Sequence, residues 1–239
     1  MIERVKIEPN IITIPEGRAS FLHAVTPTYR TNKFGQEVKI DPKTGKEKKP
    51  QYRMTWLLDP SNAQIAAVIA EIKAEAARQL DLFFHGRENW PKDNATTGTK
   101  GVIPCFGMGN DLKKVYDGYK DMFYIKVADT TQPIIGDRRG NQVELGKDGA
   151  WHIVDRATGK PAEETVDANE VPYAGAICRG RISLYVYNNE QAGVNANFRS
   201  IQFVRTAPAF AAGGRRDASE ELAAMAGDAP ATVAGGDPW

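Results

Sequence analysis

Residues 173–205, with the sequence YAGAICRGRISLYVYNNEQAGVNANFRSIQFVR, contain two of the strands on which the fold depends. Residues 173–187 and 198–205 are rich in β-branched and aromatic side chains, which predicts a β-strand in each. In the first strand, apolar residues alternate with a second row made of Arg179, Arg181, Ser183, Tyr185 and Tyr187. Because successive side chains of a strand point to opposite faces, we expect one buried face and one face that carries cations and rings.

The outward row has the chemistry that a single-stranded nucleic acid requires. Guanidinium groups neutralise phosphates, and tyrosine rings stack on unpaired bases at about 1–3 kcal/mol per base, with little dependence on the base. We therefore select Arg179, Arg181, Tyr185 and Tyr187 as candidate DNA-binding residues. Arg and Tyr on an outer strand face also form ordinary cross-strand pairs, so a purely structural role stays open at this point.

Three more strands are predicted closer to the N-terminus, over residues 19–29, 51–58 and 119–128. The third of them repeats the same pattern more weakly, because one face is apolar and the other is basic and aromatic. The candidate binding residues on that second face are Lys120, Tyr124 and Lys126.

Three further candidates belong to the other two strands. Arg53 follows Tyr52 directly, so at most one of the two side chains points into a common groove. Tyr29 and Lys33 lie where the 19–29 strand ends, a place where a loop can close over a ligand. We therefore add Tyr29, Lys33 and Arg53 to the candidate DNA-binding set.

One long helix is predicted directly after the 51–58 strand. Asp59 and Pro60 provide an N-cap and a first helical residue. Apolar residues then recur at helical spacing up to about Phe84, and Gly86 ends the pattern. Several strands with a single helix between them predict a mainly β fold, namely a Greek-key barrel of the OB-fold type. Other α+β folds share this pattern.

Two segments are predicted to lie outside the barrel strands. Residues 130–172 contain four Gly-bearing turn signals and predict hairpins inserted into a domain of residues 1–208. Residues 209–239 are rich in Ala and Gly and predict a flexible tail. All 31 Lys and Arg lie within residues 1–216, whereas five of the 30 acidic residues lie within residues 217–239, so residues 1–216 carry a net charge of +6. Such asymmetry suggests a basic body for an anionic partner, although acidic termini also serve solubility alone.

Several function classes lack support in the residues. No run approaches the roughly 20 apolar residues of a membrane span, and the N-terminus has no signal-peptide pattern, so we expect a cytoplasmic protein without membrane contact. Cys105 and Cys178 are expected to be free, buried thiols. The histidines, His23, His85 and His152, have no ligand-type spacing. We therefore expect no catalytic residue, no metal and no cofactor.

The segment 173–205 resembles the single-stranded-DNA-binding proteins of tailed phages. The resemblance rests on Tyr173-Ala174-Gly175, on the strand ending Tyr185-Val186-Tyr187-Asn188, and on Gly193-Val194 before residues 201–205, IQFVR. Weaker similarity at Arg18-Ala19-Ser20-Phe21 and at residues 53–60 extends it over about residues 15–210.

The resemblance implies an OB-fold body that binds single strands with little sequence preference in phage replication or recombination, within the host cytoplasm. It also implies an acidic, aromatic-tipped tail that docks replication proteins such as a polymerase or a helicase. The matching tail residues are Asp228, Asp237 and Trp239, with Trp where related tails often end in Phe.

Some alternatives stay open on the sequence alone. Duplex DNA is a possible second ligand, and the oligomeric state is not indicated. The competing functions are a nucleic-acid-processing enzyme, such as a metal-dependent nuclease or a recombination factor, and a structural virion protein.

Overall fold

The described part of the chain contains eleven strands and one α-helix. The computed structural model describes residues 7–31, 34, 36–40, 45–93, 101–116, 118–188 and 191–208. The strands are β1 (Ile11–Thr28), β2 (Gln51–Leu58), β3 (Ile103–Pro104), β4 (Phe106–Met108), β5 (Phe123–Asp129), β6 (Ile134–Gly136), β7 (Val143–Leu145), β8 (Trp151–Val154), β9 (Pro161–Val166), β10 (Ile177–Asn188) and β11 (Ala192–Arg205), and the helix is α1 (Ala63–Phe84). Over these described ranges, no helix is both long and apolar enough to cross a membrane.

Five long strands close into a barrel. The main sheet has the order β3-β11-β10-β1-β2-β5-β4, with antiparallel pairing between the long neighbours. Its two ends meet because β3 pairs with β11 while β4, two residues later in the chain, pairs with β5. The peptide between them also takes part, since the Lys126 amide donates to the Cys105 carbonyl at 2.9 Å. The prediction of a mainly β, OB-fold-like barrel with one long helix is therefore confirmed.

Trp56 of β2 is fully buried at the centre of the barrel core. Its indole fits against two neighbouring strands that carry glycine at the point of contact. A Cβ at Gly17 would lie 3.1 Å from the indole, and one at Gly180 would lie 3.0 Å from it. Glycine at these two positions therefore allows β1 and β10 to approach the largest side chain of the core.

The helix covers the barrel beside β1 and β10. Its buried stripe matches the predicted helical spacing, with Ile65, Ile69, Ile72, Ala76 and Leu80 inside. The predicted end is confirmed, because His85 caps the helix in the left-handed conformation. The predicted start is wrong.

Asn62, and not Asp59, is the N-cap of α1, because the Asn62 side chain accepts hydrogen bonds from the amides of Gln64 and Ile65. The Asp59 carboxylate instead accepts from the amide and hydroxyl of Ser61, and Pro60 lies before the helix. The N-cap therefore lies three residues beyond Asp59, and the Asp59 carboxylate holds a turn.

A buried polar network ties the helix to β10. Gln79 Nε2 donates to the Leu184 carbonyl at 2.7 Å and to Glu75 Oε1 at 2.8 Å. Burial would raise the pKa of Glu75, but hydrogen bonds from Arg78, Gln79 and Asn10 outweigh it and hold that pKa below its ordinary value. The backbone of β10 is thus fixed directly before Tyr185.

The predicted insertion consists of strands β6 to β9. Three of them form a separate sheet of order β7-β8-β9, and three glycines in the turns of the insertion, Gly140, Gly149 and Gly159, have positive φ. The fourth strand, β6, pairs in parallel with residues 200–202 of β11. The insertion therefore lies beside the C-terminal half of β11.

Candidate nucleic-acid interface

A groove of about 550 Å³ crosses the barrel where β5 and β11 approach each other. Six strands contribute to its wall, namely β1, β2, β3, β5, β10 and β11. Its cations are Arg30, Arg53 and Lys126, and its aromatic rings are Phe21, Tyr185 and Tyr187. Within the described part of the chain, neither Asp nor Glu lines it. We call it the first groove.

Among the described residues that line the first groove, no Asp or Glu offers a counter-ion to its positive charges. Burial lowers the pKa of Arg53, and the positive charge of Arg30 lowers it further. His23 lies opposite Arg53 across the β1–β2 pair. The pKa of His23 is lowered by burial and then by Arg53. Like charges that depress one another's pKa values favour an anion between them.

The two predicted tyrosines of β10 lie on this groove, each opposite a small or polar residue of β11. Tyr187 pairs with Gly193, and a methyl group at Gly193 would overlap the Tyr187 ring. Tyr185 pairs with Asn195, whose Nδ2 donates to the Tyr185 hydroxyl at 3.3 Å. The side chain of Tyr185 is exposed and that of Tyr187 is half-buried. The register thus holds one ring against the backbone and leaves the other open to a ligand.

A third ring, Phe21, stands on the same groove in an unusual backbone conformation. Its φ is 49°, a left-handed value that bulky residues rarely adopt, and its side chain is 52% exposed. The residue occupies a break in the β1–β2 register between Ser20 and His23. Such outliers cost about 1–3 kcal/mol and cluster at functional sites. The sequence reasoning did not select Phe21 as a binding residue, because an extended strand would not present it in this way.

Two tyrosines from the segment before β5 support Phe21. Its ring centroid lies 5.4 Å from that of Tyr116, edge to face, and 6.4 Å from that of Tyr119. The Tyr119 hydroxyl donates to Ser20 Oγ at 3.2 Å, and burial raises the pKa of Tyr119. Lys114 Nζ lies 5.2 Å from the Tyr116 centroid. The run KVYDGYK in the sequence signals cations and rings, but not that they meet Phe21.

Of the three predicted residues on and near β5, only Lys126 lines the first groove. Its Nζ lies 5.3 Å from the Tyr124 ring centroid. Tyr124 itself packs on β4, since a Cβ at Gly107 would lie 3.2 Å from its hydroxyl, and it does not line the groove. Burial raises its pKa. Lys120 was predicted on the strand but lies in the preceding turn, where Asp121 has a positive φ.

Arg179 and Arg181 do not share a groove with Tyr185 and Tyr187. They line another depression, of about 480 Å³, between β10, β11 and the insertion. These four side chains therefore share the outward row of β10 but line two different depressions. Ser183 interrupts the row, because it is fully buried and accepts hydrogen bonds from two side chains of β11.

The remaining predicted residues fall into two groups. Tyr29 is half-buried next to the groove residue Arg30, and Lys39 Nζ lies 5.4 Å from its ring centroid. Lys33 lies outside the described residues, as do the tail candidates Asp228, Asp237 and Trp239.

The described residues that line the first groove include one thiol and no group of metal ligands. Cys105 is buried in its wall, and burial raises the pKa of that thiol to about 12. Among the residues that the structure describes, no group of three or more His, Cys, Asp or Glu side chains is placed to hold a metal. The groove therefore presents cations and aromatic rings side by side.

Comparison with known proteins identifies the family of the chain. A family model described as the ssDNA-binding protein of Enterobacter phage Enc34 matches residues 37–232. Protein p50 of Acyrthosiphon pisum secondary endosymbiont phage 1 is 27% identical over 164 residues, which is 69% of this chain and 74% of that protein.

Two solved structures share the fold. The Enc34 protein in complex with ssDNA is 16% identical with a TM-score of 0.57, over 84% of this chain and 89% of that one. The structure titled as the Enc34 protein without mention of DNA is 18% identical with a TM-score of 0.51, over 89% of each chain.

Proposed function

We propose that this chain, which belongs to the Enc34 family of phage single-stranded-DNA-binding proteins, binds single-stranded DNA along the first groove without sequence preference. The family is one of binding proteins and not of enzymes, which confirms the prediction of a non-enzymatic module. The observation that carries the proposal is a groove with three cations and three rings whose described lining residues include neither Asp nor Glu.

Each part of the groove has a separate task in this proposal. Arg30, Arg53 and Lys126 replace the counter-ions of DNA phosphates, which makes binding depend steeply on salt. Phe21, Tyr185 and Tyr187 stack on unpaired bases, and any base offers a face for stacking. Duplex DNA keeps its bases stacked inside the helix, so we expect it to lose this part of the affinity.

The test is a fluorescence titration with poly-dT at two salt concentrations. Replacing Tyr185 and Tyr187 by Ala is expected to weaken binding by about 1–3 kcal/mol per stacked base while the fold is kept. Phe83→Ala is the matched control, because Phe83 is an exposed ring of α1 that lines neither groove. Unchanged affinity of the double variant would show that these rings are not the platform.

A role in phage DNA replication or recombination, inside the host cytoplasm, follows as part of the same proposal. Residues 217–239 contain five acids and no Lys or Arg, which supports docking of this tail into a basic pocket on a polymerase or helicase. Deleting residues 217–239 is expected to weaken that association and to tighten DNA binding. The tail proposal fails if truncation leaves both affinities unchanged in the same buffer.

A further inference from the structure

The depression between β10, β11 and the insertion has the composition of an anion site. We call it the second groove. Its cations are Arg156, from the turn between β8 and β9, and Arg179 and Arg181 of β10. No acidic residue and no aromatic ring is among the described residues that line it. It therefore offers positive charge without a stacking surface.

The arginines are held in place by the strand register. Arg179 pairs with Gln202 of β11, and its Nε donates to Gln202 Oε1 at 2.8 Å. Arg181 pairs with Ser200, next to a break in the β10–β11 register. Both arginines have exposed side chains, and over the described ranges neither forms an ion pair with Asp or Glu. The Arg179 guanidinium is thus oriented by Gln202, and both guanidinium groups are available to a ligand.

An unpaired donor points to what the second groove binds. Gln202 Nε2 is buried and lacks a hydrogen-bond partner. It lies beneath the turn at Gly140, where a Cβ would come within 3.3 Å of it. A buried donor without an acceptor is costly in a native protein, so each case calls for an explanation. Gln202 also lines the second groove, so this donor belongs to the wall around the three arginines.

We propose that the second groove binds phosphate groups of the same DNA strand beyond the segment held in the first groove. This inference rests on the proposed function of the first groove. Strand β10 runs through both grooves, with Tyr185 and Tyr187 at one end and Arg179 and Arg181 at the other. The centres of the two pairs, at residues 180 and 186, are six residue steps apart, which corresponds to about 20 Å. A strand that continues along β10 passes from a stacking site to a phosphate-only site.

The experiment compares oligo-dT of increasing length, from dT4 to dT30, on the full chain. Each phosphate contact contributes about −0.7 to the slope of log K against log salt for single strands. Arg179→Ala/Arg181→Ala should therefore make this negative slope less steep by about 1.4 for long oligomers. That change corresponds to a loss of about tenfold in affinity at 0.2 M salt. Short oligomers, which fill only the first groove, should bind the variant as they bind the unmodified protein.

Two controls separate this inference from the proposed function. Lys92→Ala/Lys147→Ala removes the same charge from exposed positions outside both grooves, and should leave the length dependence intact. Arg156→Ala, on a separate turn, should make the slope of log K against log salt less steep by about 0.7. An equal loss for short and long oligomers would overturn the second site, as would unchanged or tighter binding of the arginine variants. Tyr185→Ala/Tyr187→Ala, in contrast, should weaken binding at every length, and its failure would count against the first groove alone.

Discussion

Replacing Phe21 by Gly and by Ala should separate what this residue does for DNA binding from what it costs the fold. Both changes remove the ring from the first groove and from its contacts with Tyr116 and Tyr119. Only glycine is free of strain at the φ of 49° that this position requires. The two variants should therefore bind DNA alike and differ in stability.

The magnitudes follow from the geometry. Loss of one stacked base costs about 1–3 kcal/mol, or a factor of about 5 to 150 in Kd. The two ring contacts contribute about 0.5–1.5 kcal/mol each, so Phe21→Ala should unfold more easily than the unmodified protein. A left-handed conformation costs a non-Gly residue about 1–2 kcal/mol, partly offset by the greater unfolded-state freedom of glycine. Phe21→Gly should thus be more stable than Phe21→Ala by about 1 kcal/mol.

Two assays check these expectations. Fluorescence titration with poly-dT measures affinity, with Phe83→Ala as the control for loss of an exposed ring. Thermal unfolding measures stability, and 1 kcal/mol corresponds to about 2–4 °C in Tm for a chain of this size. Native-like DNA affinity of both Phe21 variants would refute the stacking role. Equal Tm values for the Gly and Ala variants would refute the strain.

Three further results are expected. Gly193→Ala should keep the fold but displace the Tyr187 ring, and so weaken poly-dT binding about as much as Tyr187→Ala; native affinity would contradict the ring placement. Burial and Arg53 hold the pKa of His23 below its ordinary value of 6.5 in the free protein. Bound phosphates would raise that pKa, so DNA binding takes up a proton and the affinity for poly-dT should rise as pH falls from about 7.5 to 5.5. His23→Gln should flatten this dependence, and a flat profile for the unmodified protein would exclude His23. Because burial raises the pKa of Cys105 and Cys178 to about 12, alkylation followed by mass spectrometry should label them only after unfolding in urea; rapid native labelling would contradict that burial.

The elements that the sequence predicts well are those in which one pattern acts alone. Strand β2 has the predicted bounds, residues 51–58, because its alternation is uninterrupted. Strand β1 begins at Ile11. The sequence predicts a start at residue 19 because Pro15 and Gly17 resemble strand breakers. The structure accommodates them with a register shift between Ile14 and Gly17, a local irregularity that no propensity indicates.

Strand ends follow from pairing more than from composition. Strand β11 begins at Ala192, six residues before the predicted start, because β10 supplies partners to small and polar residues of low β-propensity. Strand β5 begins at Phe123 and not at residue 119. There Asn110 exchanges hydrogen bonds with Asp121 and holds the preceding turn.

The candidate site was predictable strand by strand but not as a surface. Alternation correctly places Tyr185, Tyr187 and Arg179 on the outward side of β10, because it depends only on the strand itself. What those side chains meet depends on neighbours far away in sequence. Strand β2 brings Arg53 to the tyrosines across the closed barrel, and the insertion places Arg156 beside Arg179.

The break in the row at Ser183 has the same non-local origin. Asn197 Nδ2 and Arg199 Nε both donate to the Ser183 hydroxyl, at 3.3 and 3.1 Å. Arg199 stands at the register shift of the β10–β11 pair, where the extra residue of β11 brings it over the serine. One irregular residue on the neighbouring strand thus divides a continuous outward row into a stacking end and a cationic end. A ligand that follows β10 would meet the two kinds of contact in sequence, which is the arrangement that the length series on oligo-dT is designed to detect.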